Sequence, residues 1–335
     1  MKKIVLSTLL ASNLLMASNA ILGEVVQNTE ESPSMISFDA GMWYMSWNQT
    51  STSADMLKNS SDALDVNYNI DDSMAAQVAL KVNYGYLSGS LDYTDSSSSS
   101  DNGDGISSLD VGLALLDYIP FLDVEMRYVK SDFSGSMSAK DSGTGNYGTS
   151  DFTTSVEIYD IILYPFNKYL GVGYRSYSYE FPQDVYITRD SDGTLLAGGS
   201  GLLDLAYEGY FYTLALDNKK MVDARNNYNG FIYSITAGYG KLTPSALQNE
   251  KADAATVSLV DSYLGESDAL FYDVLLGYSY KKKDTSGFGY GVTAGYRYNK
   301  IEADESEDVN NGGYSIKTKF DTEFYGPYVS LVFSY

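Results

Sequence analysis

The sequence predicts an all-β fold, a transmembrane antiparallel up-and-down β-barrel of about 12 strands (10 to 14), with long extracellular loops and short periplasmic turns. Three observations predict it. Segments of about ten residues alternate in polarity with a period of two along most of the chain. The connections between them alternate between long and acidic and short and basic. After the first twenty residues, no stretch is apolar for long enough to cross a bilayer as a helix, so a crossing requires a closed sheet.

The N-terminus carries the features of an export signal. Lys2 and Lys3 precede an apolar run broken only by small polar residues, and Ser18-Asn19-Ala20 offers the small side chains a signal peptidase reads. Residues 1–20 are therefore expected to be a signal peptide, residues 21–34 a short periplasmic segment, and residues 35–335 the barrel. Losing Lys2 and Lys3 takes the net charge from −22 to −24. Such a charge repels phosphate backbones and excludes nucleic acid as a partner. The segment before the first strand is too short for a plug domain.

Strands are expected at 36–46, 75–84, 86–94, 106–117, 122–130, 153–164, 169–179, 202–216, 230–240, 269–280, 287–299 and 314–335. Their lipid-facing parity is apolar and tyrosine-rich: Val78, Leu80, Val82 and Tyr84; Val124, Met126 and Tyr128; Leu170, Val172 and Tyr174; Phe231, Tyr233, Ile235 and Tyr239; Tyr272, Val274, Leu276 and Tyr278; Tyr290, Val292, Ala294, Tyr296 and Tyr298. The opposite parity is small or charged. A charge facing the bilayer midplane costs about 2–4 kcal/mol, which assigns that parity to the lumen. In "SVEIYDIILY", Glu157 and Asp160 have opposite parity, so one of them requires a bulge or an interfacial position. The 32 tyrosines suit the two belts where a barrel crosses the headgroup level.

Charge sorts the connections independently of length. The long loops together hold 25 acidic and 7 basic residues, whereas the turns at 165–168, 217–229 and 281–286 hold 7 basic and 3 acidic. Loop 241–268 is expected to carry a short helix, with Thr243 as its cap, Pro244 in its first turn, and Leu247, Ala254, Val257 and Leu264 along one face. "VYITRDSDGTLLA" is expected to form a hairpin above the membrane, turning at Asp192-Gly193.

Signal peptide, period-two strands, tyrosine belts and a last strand with Val329, Leu331, Phe333 and Tyr335 at alternate positions resemble the bacterial (Gram-negative), porin-like outer-membrane β-barrel class. The resemblance implies location in the outer membrane and partners in lipid, lipopolysaccharide and the barrel-assembly machinery, which reads Val329, Leu331, Phe333 and Tyr335 as its signal. Homo-oligomerisation is compatible with it.

Function is approached by exclusion first. With neither Cys nor His, the chain lacks thiolate and imidazole chemistry and the usual zinc ligands. Enzymes of the resembled class rely on a histidine, so no catalytic residue is assigned and no enzyme is expected. "SSSSSDNGDG" and "RDSDGT" lack full calcium-ligand spacing, so neither metal nor cofactor is expected. The leading expectation is a porin-like channel for passive diffusion of small solutes or ions. Its narrow lumen would be lined by Asp39, Lys81, Asp92, Asp110, Glu125, Arg127, Arg175, Asp204, Glu208, Asp273 and Arg297. The alternatives are that these charges pair and fill a closed interior, and that the barrel is a non-conducting surface protein acting through its acidic loops.

Overall fold

The computed structural model describes residues 36–54, 63–96, 105–119, 121–141, 147–165, 169–180, 186–189, 195–198, 204–219, 227–247, 264–284, 287–304 and 317–335, with positions 222, 258, 261 and 262. The expected signal peptide and the segment to residue 34 lie outside the described residues.

Fourteen strands form one antiparallel sheet: β1 (Ile36–Ala54), β2 (Ala63–Tyr84), β3 (Leu87–Ser96), β4 (Gly105–Ile119), β5 (Leu122–Asp141), β6 (Tyr147–Pro165), β7 (Leu170–Glu180), β8 (Tyr186–Arg189), β9 (Leu195–Gly198), β10 (Asp204–Asp217), β11 (Tyr228–Leu247), β12 (Ser267–Lys283), β13 (Gly289–Ala303) and β14 (Lys317–Ser334). Twelve of them close into a ring in chain order, β7 pairing directly with β10 and β14 with β1. The remaining two, β8 and β9, form the hairpin expected above the membrane, hung on the loop end of β6 through Gly148 and Thr149. The seam closes down to its last residues, where Ile36 and Tyr335 exchange both backbone hydrogen bonds, at 3.1 and 2.9 Å.

Stagger follows from the pairing. A row traced from Ala79 through Asp92, Asp110, Val129, Ile158, Tyr177, Gly209 and Leu242 reaches β12 at Ser267. Traced the other way, through Asp39, Val332 and Gly291, it reaches β12 at Lys281, fourteen residues from Ser267. That offset tilts the strands by roughly 40° from the barrel axis.

The outer surface is the expected apolar band. Val78, Leu80, Val82, Met126, Ile161, Val172, Leu214, Leu276 and Val292 are all exposed, as are Val329, Leu331, Phe333 and Tyr335 on β14. Outward aromatics gather at two levels. Tyr128 faces Tyr159 across the ladder with ring centroids 4.7 Å apart, and Tyr174, Tyr212 and Tyr239 lie on one pairing row at the loop-side level. Tyr84, Tyr86, Tyr118, Phe121, Tyr290 and Tyr335 mark the turn-side level. A closed sheet with this girdled apolar band is a transmembrane barrel of the outer-membrane type.

The structure corrects the expected strand ends. β1, β2, β5 and β6 run well past the apolar band, and above the short β3–β4 hairpin β2 pairs directly with β5, from Leu64↔Asp141 to Asn69↔Ser136. Above the membrane the outer face of a strand no longer meets lipid, so segments such as "NQTSTSA" keep strand structure while losing the alternation that reveals it. The expected helix in loop 241–268 does not start at Thr243. Thr243, Pro244 and Leu247 continue β11, with Pro244 opposite Tyr207 beyond the last β12 partner, Leu242↔Ser267, so no ladder bond to β12 is lost there. Among the described residues of the loop, Ser258 and Asp261 are helical, Ser262 N donates to Ser258 O at 3.3 Å, and Leu264 is buried. Ala254 and Val257 lie outside the described residues.

The conflict between Glu157 and Asp160 resolves without a bulge. The β5–β6 ladder is continuous, Asp160 points inward, and Glu157 points outward to Lys130, 3.2 Å away, one pair above the Tyr128–Tyr159 rings. Lys130 and Glu157 therefore sit at the headgroup level, where a carboxylate remains hydrated, and Asp160 lies below them in the lumen.

Candidate functional site: the barrel lumen

The period of two that makes the outer face apolar sends every second side chain inward, and the lumen they fill is layered. At mid-height lies a chain of charges. Arg175 on β7 is 1% exposed and grips Asp160 with both arms, Nε to Oδ1 at 2.7 Å and Nη2 to Oδ2 at 2.8 Å. Arg127 on β5 bonds Asp110 on β4, Nε to Oδ2 at 2.9 Å and Nη2 at 2.7 Å. Asp273 on β12 ties the two pairs together, 3.6 Å from Arg127 and 3.7 Å from Arg175. In the twelve-strand ring β4 lies opposite β12, so this chain crosses the full width of the lumen. The Arg175 guanidinium also stacks over the Phe271 ring, 4.1 Å from its centroid.

Above the charges lies an apolar layer. Trp47, Phe133, Tyr179, Tyr207, Phe211, Leu242, Phe271 and Phe320 are at most 3% exposed although they face the interior of a barrel. Their rings meet partners from distant strands. Trp47 on β1 stacks on Phe133 on β5 at 5.2 Å, Phe133 meets Phe324 on β14 at 5.0 Å, and Phe320 on β14 meets Tyr207 on β10 at 5.0 Å and Tyr179 on β7 at 5.5 Å. The Trp47 indole N–H donates to Thr322 Oγ1 at 2.9 Å, so its one polar atom is satisfied.

Below the charges the lumen is polar and less filled. Gln77 donates to Asp92 at 2.5 Å and accepts from Arg297 Nη2 at 3.3 Å. Arg297 lies between the rings of Trp43 and Tyr328, 5.4 and 4.8 Å from their centroids, which fastens the first strand to the last. Glu125 accepts from Tyr164 at 3.4 Å. Of the 217–229 connection, expected as a basic periplasmic turn, Asn218, Lys219 and Val222 lie against the mouth. Asn218 donates to Phe231 O at 3.0 Å and accepts from Tyr233 N at 2.7 Å, and Val222 is 3% exposed.

Of the residues assigned to the lumen from sequence, Asp39, Lys81, Asp92, Asp110, Glu125, Arg127, Arg175, Asp273 and Arg297 take inward positions. Glu208 does not. It shares the outward parity of Tyr210, Tyr212 and Leu214, because β10 begins higher than the charged layer and its acidic residue stands above the lipid. The side chain of Asp204, which opens the same strand, lies outside the described residues. Sequence reasoning missed Asp160, Gln77 and Lys219 among the polar residues, and the whole apolar layer. A signal for that layer exists. Phe133 shares its parity with Arg127, Tyr177 and Tyr179 with Arg175, and Phe271 with Asp273, so aromatics on the charged parity mark lumen filling rather than a lipid belt.

No family model and no curated protein matches the chain. Solved outer-membrane barrels do. The outer membrane protease OmpT from Escherichia coli is 10% identical over 92% of this chain and 99% of its own, with a TM-score of 0.31. A Pseudomonas aeruginosa FadL homologue is 8% identical over 90% of both chains, with a TM-score of 0.33. The translocator domain of the autotransporter NalP from Neisseria meningitidis is 9% identical over 95% of this chain and 97% of its own, with a TM-score of 0.34. The assignment of this chain as an outer-membrane β-barrel rests on its closed sheet and girdled outer face.

Proposed function

We propose that this outer-membrane barrel is a non-conducting, non-enzymatic surface protein, which holds its acidic extracellular loops at the cell exterior as a structural or interaction element. The observation that carries this reading is the set of rings meeting across the lumen, Trp47 with Phe133 and Phe320 with Tyr207, directly above a charge chain that spans the same lumen. A diffusion channel needs a continuous wet path, and an interior packed by buried side chains belongs to a structural barrel. The excess of acid in the loops favours cationic partner surfaces and disfavours anionic ones. Outward ion pairs above the tyrosine level, Lys130 with Glu157 and Lys300 with Asp321 at 2.9 Å, support contact of this level with the polar headgroups of lipopolysaccharide.

Planar-bilayer recording of the refolded protein tests the reading. The expected result is silence from a protein that is folded and heat-modifiable on a gel, with step conductance appearing in the Phe133→Ala/Phe320→Ala double variant. Discrete openings from the parent protein, with selectivity that shifts in Arg127→Ala, would instead establish the channel.

A further inference from the structure

The outer wall carries a pair of rings that the proposed surface role does not use. Tyr128 on β5 and Tyr159 on β6 stand directly opposite each other in the ladder, on the outward parity, with ring centroids 4.7 Å apart and ring planes tilted by 34°. Among the described residues this is the closest approach of two tyrosine rings. Tyr86 and Tyr118 lie 5.8 Å apart and edge-on at 68°, and Tyr174 and Tyr210 lie 6.1 Å apart. Tyr177 and Tyr179 are 6.4 Å apart on a single strand, 2% and 1% exposed inside the lumen. Aromatic pairs in proteins span centroid distances of about 4.5–7 Å, so Tyr128 and Tyr159 sit at the near end, with their edges in van der Waals contact.

Redox chemistry singles these two rings out. The chain has no Cys, so a one-electron oxidant meets no thiol, and no disulfide can tie one strand to the next. Both tryptophans point into the lumen, Trp43 packed against the apolar layer and Trp47 fully buried within it. The electron-rich rings left at the surface are tyrosines, and Tyr159 is 52% exposed. Glu157 lies one pair above on the same face, so a carboxylate stands beside the phenols to accept a proton as an electron leaves. The ladder supplies the geometry that coupling requires. β5 and β6 pair without interruption from Leu122↔Pro165 to Lys140↔Tyr147, which holds the two rings together while they react.

We infer that Tyr128 and Tyr159 are the site of an oxidative cross-link, a dityrosine that joins β5 to β6 at the outer tyrosine row and is formed by a small one-electron oxidant at the cell surface. Two oxidant molecules each take one electron, and each phenol releases its hydroxyl proton, which leaves two tyrosyl radicals. The radicals join through one Cε of each ring, the carbon next to the one bearing oxygen. The hydrogen on each joined carbon then moves as a proton to the oxygen of its own ring, which restores two phenols. Two tyrosines thus give one dityrosine, two protons and two electrons. The link ties the tall β5–β6 hairpin covalently in a chain that has no thiol to do so. It stands on the outer wall and is independent of whether the lumen conducts.

The probe oxidant is tris(bipyridine)ruthenium(III), generated by light and persulfate in a solution of the full chain refolded in detergent. The folded protein should gain dityrosine fluorescence. After trypsin, residues 128–130 should stay joined to residues 141–168, in a product lighter by two hydrogen atoms than the two peptides together. Tyr128→Phe and Tyr159→Phe keep the ring and remove only the hydroxyl, so each should remove most of the fluorescence from a barrel that stays heat-modifiable. Unfolding in urea before oxidation should lower the yield of the joined peptide by about tenfold or more, because the ladder no longer holds the rings together. No joined peptide from the folded parent, fluorescence that survives in both phenylalanine variants, or an equal yield from the unfolded chain overturns the proposal.

Discussion

The two halves of the lumen are filled by opposite means. The loop-side half is closed by rings, where Trp47, Phe133, Tyr207 and Phe320 exclude water by area and dispersion. From mid-height down it is held by charges, where Arg127 and Arg175 share Asp273 and where Asp92, Gln77 and Arg297 surround a cavity. The difference follows from position. The ring layer stands at and above the outer tyrosine row, in the part of the barrel that no lipid supports from outside, and an apolar core gives that section its own stabilisation. The charged layer lies within the membrane band, where the wall already has an apolar exterior and the interior can specify cross-section through directional pairs. One consequence is unequal tolerance: the charged half should fail when one partner is lost, and the ring half in proportion to the volume removed.

The largest expected effect tests the charged half. Arg175→Ala leaves Asp160, which is 5% exposed, as an uncompensated buried carboxylate and also strips a cation from the Phe271 ring, so a loss of about 3–5 kcal/mol is expected. Urea unfolding of the refolded barrel, followed by gel mobility, measures it. The comparison sharpens in Arg175→Met/Asp160→Leu, which should recover most of the loss because no charge is left behind. If the single variant matches the parent, the bidentate pair contributes nothing and the charged half is held by its walls alone.

Next in size is the ring half. Phe271→Ala removes a ring that is 0% exposed and packs on Phe211 at 5.0 Å, and a loss of about 3–4 kcal/mol is expected. Phe271→Leu should cost less than half as much, since most of the volume remains. A loss under 1 kcal/mol in Phe271→Ala would mean that water already enters this layer, which would also weaken the case for a closed lumen.

What the sequence revealed and what it concealed divide along the same line. Within the membrane band, lipid enforces a period of two, so the outward series Tyr272, Val274, Leu276, Tyr278 and the inward Asp273 were legible residue by residue. The hairpin at Tyr186–Gly198 was legible from its turn residues. Above the band nothing enforces alternation, and β1, β2, β5 and β6 run on through Ser, Thr and Asn that read as loop. Glu208 was misassigned for that reason, since an acid above the lipid is free to face either way. Parity places Arg127 and Asp273 on the lumen side, but it says nothing of β5 and β12, five places apart around the ring, meeting across the barrel, and that meeting is what closes it.

A smaller effect is expected at the seam between the first and last strands. Their register passes from Trp43↔Tyr328 to Ser46↔Tyr325 and is interrupted where Gly326 and Pro327 stand opposite Tyr44 and Met45, which pair with Met74 and Ser73 on their other side. Gly326 has φ +157°, and a Cβ there would stand 1.8 Å from Tyr44 O, so this position admits no side chain without moving backbone. Gly326→Ala should cost about 1–3 kcal/mol. Because Arg297 below and Trp47 with Thr322 above clasp the seam, the variant should still close, with faster exchange confined to amides near Tyr44 in hydrogen-exchange mass spectrometry.

The smallest effect is expected outside the barrel, where the same chemistry meets water. Lys130 and Glu157 form an ion pair as short as some within the lumen, at 3.2 Å, but their side chains are 45% and 35% exposed. Solvent screens such a pair and the entropy of two long side chains opposes it, so geometry alone does not make it stabilising. Lys130→Ala should leave the urea midpoint within error of the parent, at low salt and at high. The contrast with Arg175→Ala then sets an exposed cation–carboxylate pair against a buried one on adjacent strands of the same sheet, the buried arginine losing its Asp273 and Phe271 contacts as well. A large loss in Lys130→Ala would show that the headgroup level above the tyrosine row behaves as interior rather than as water, and the boundary drawn between the two environments would have to move outward by at least one pair on β5 and β6.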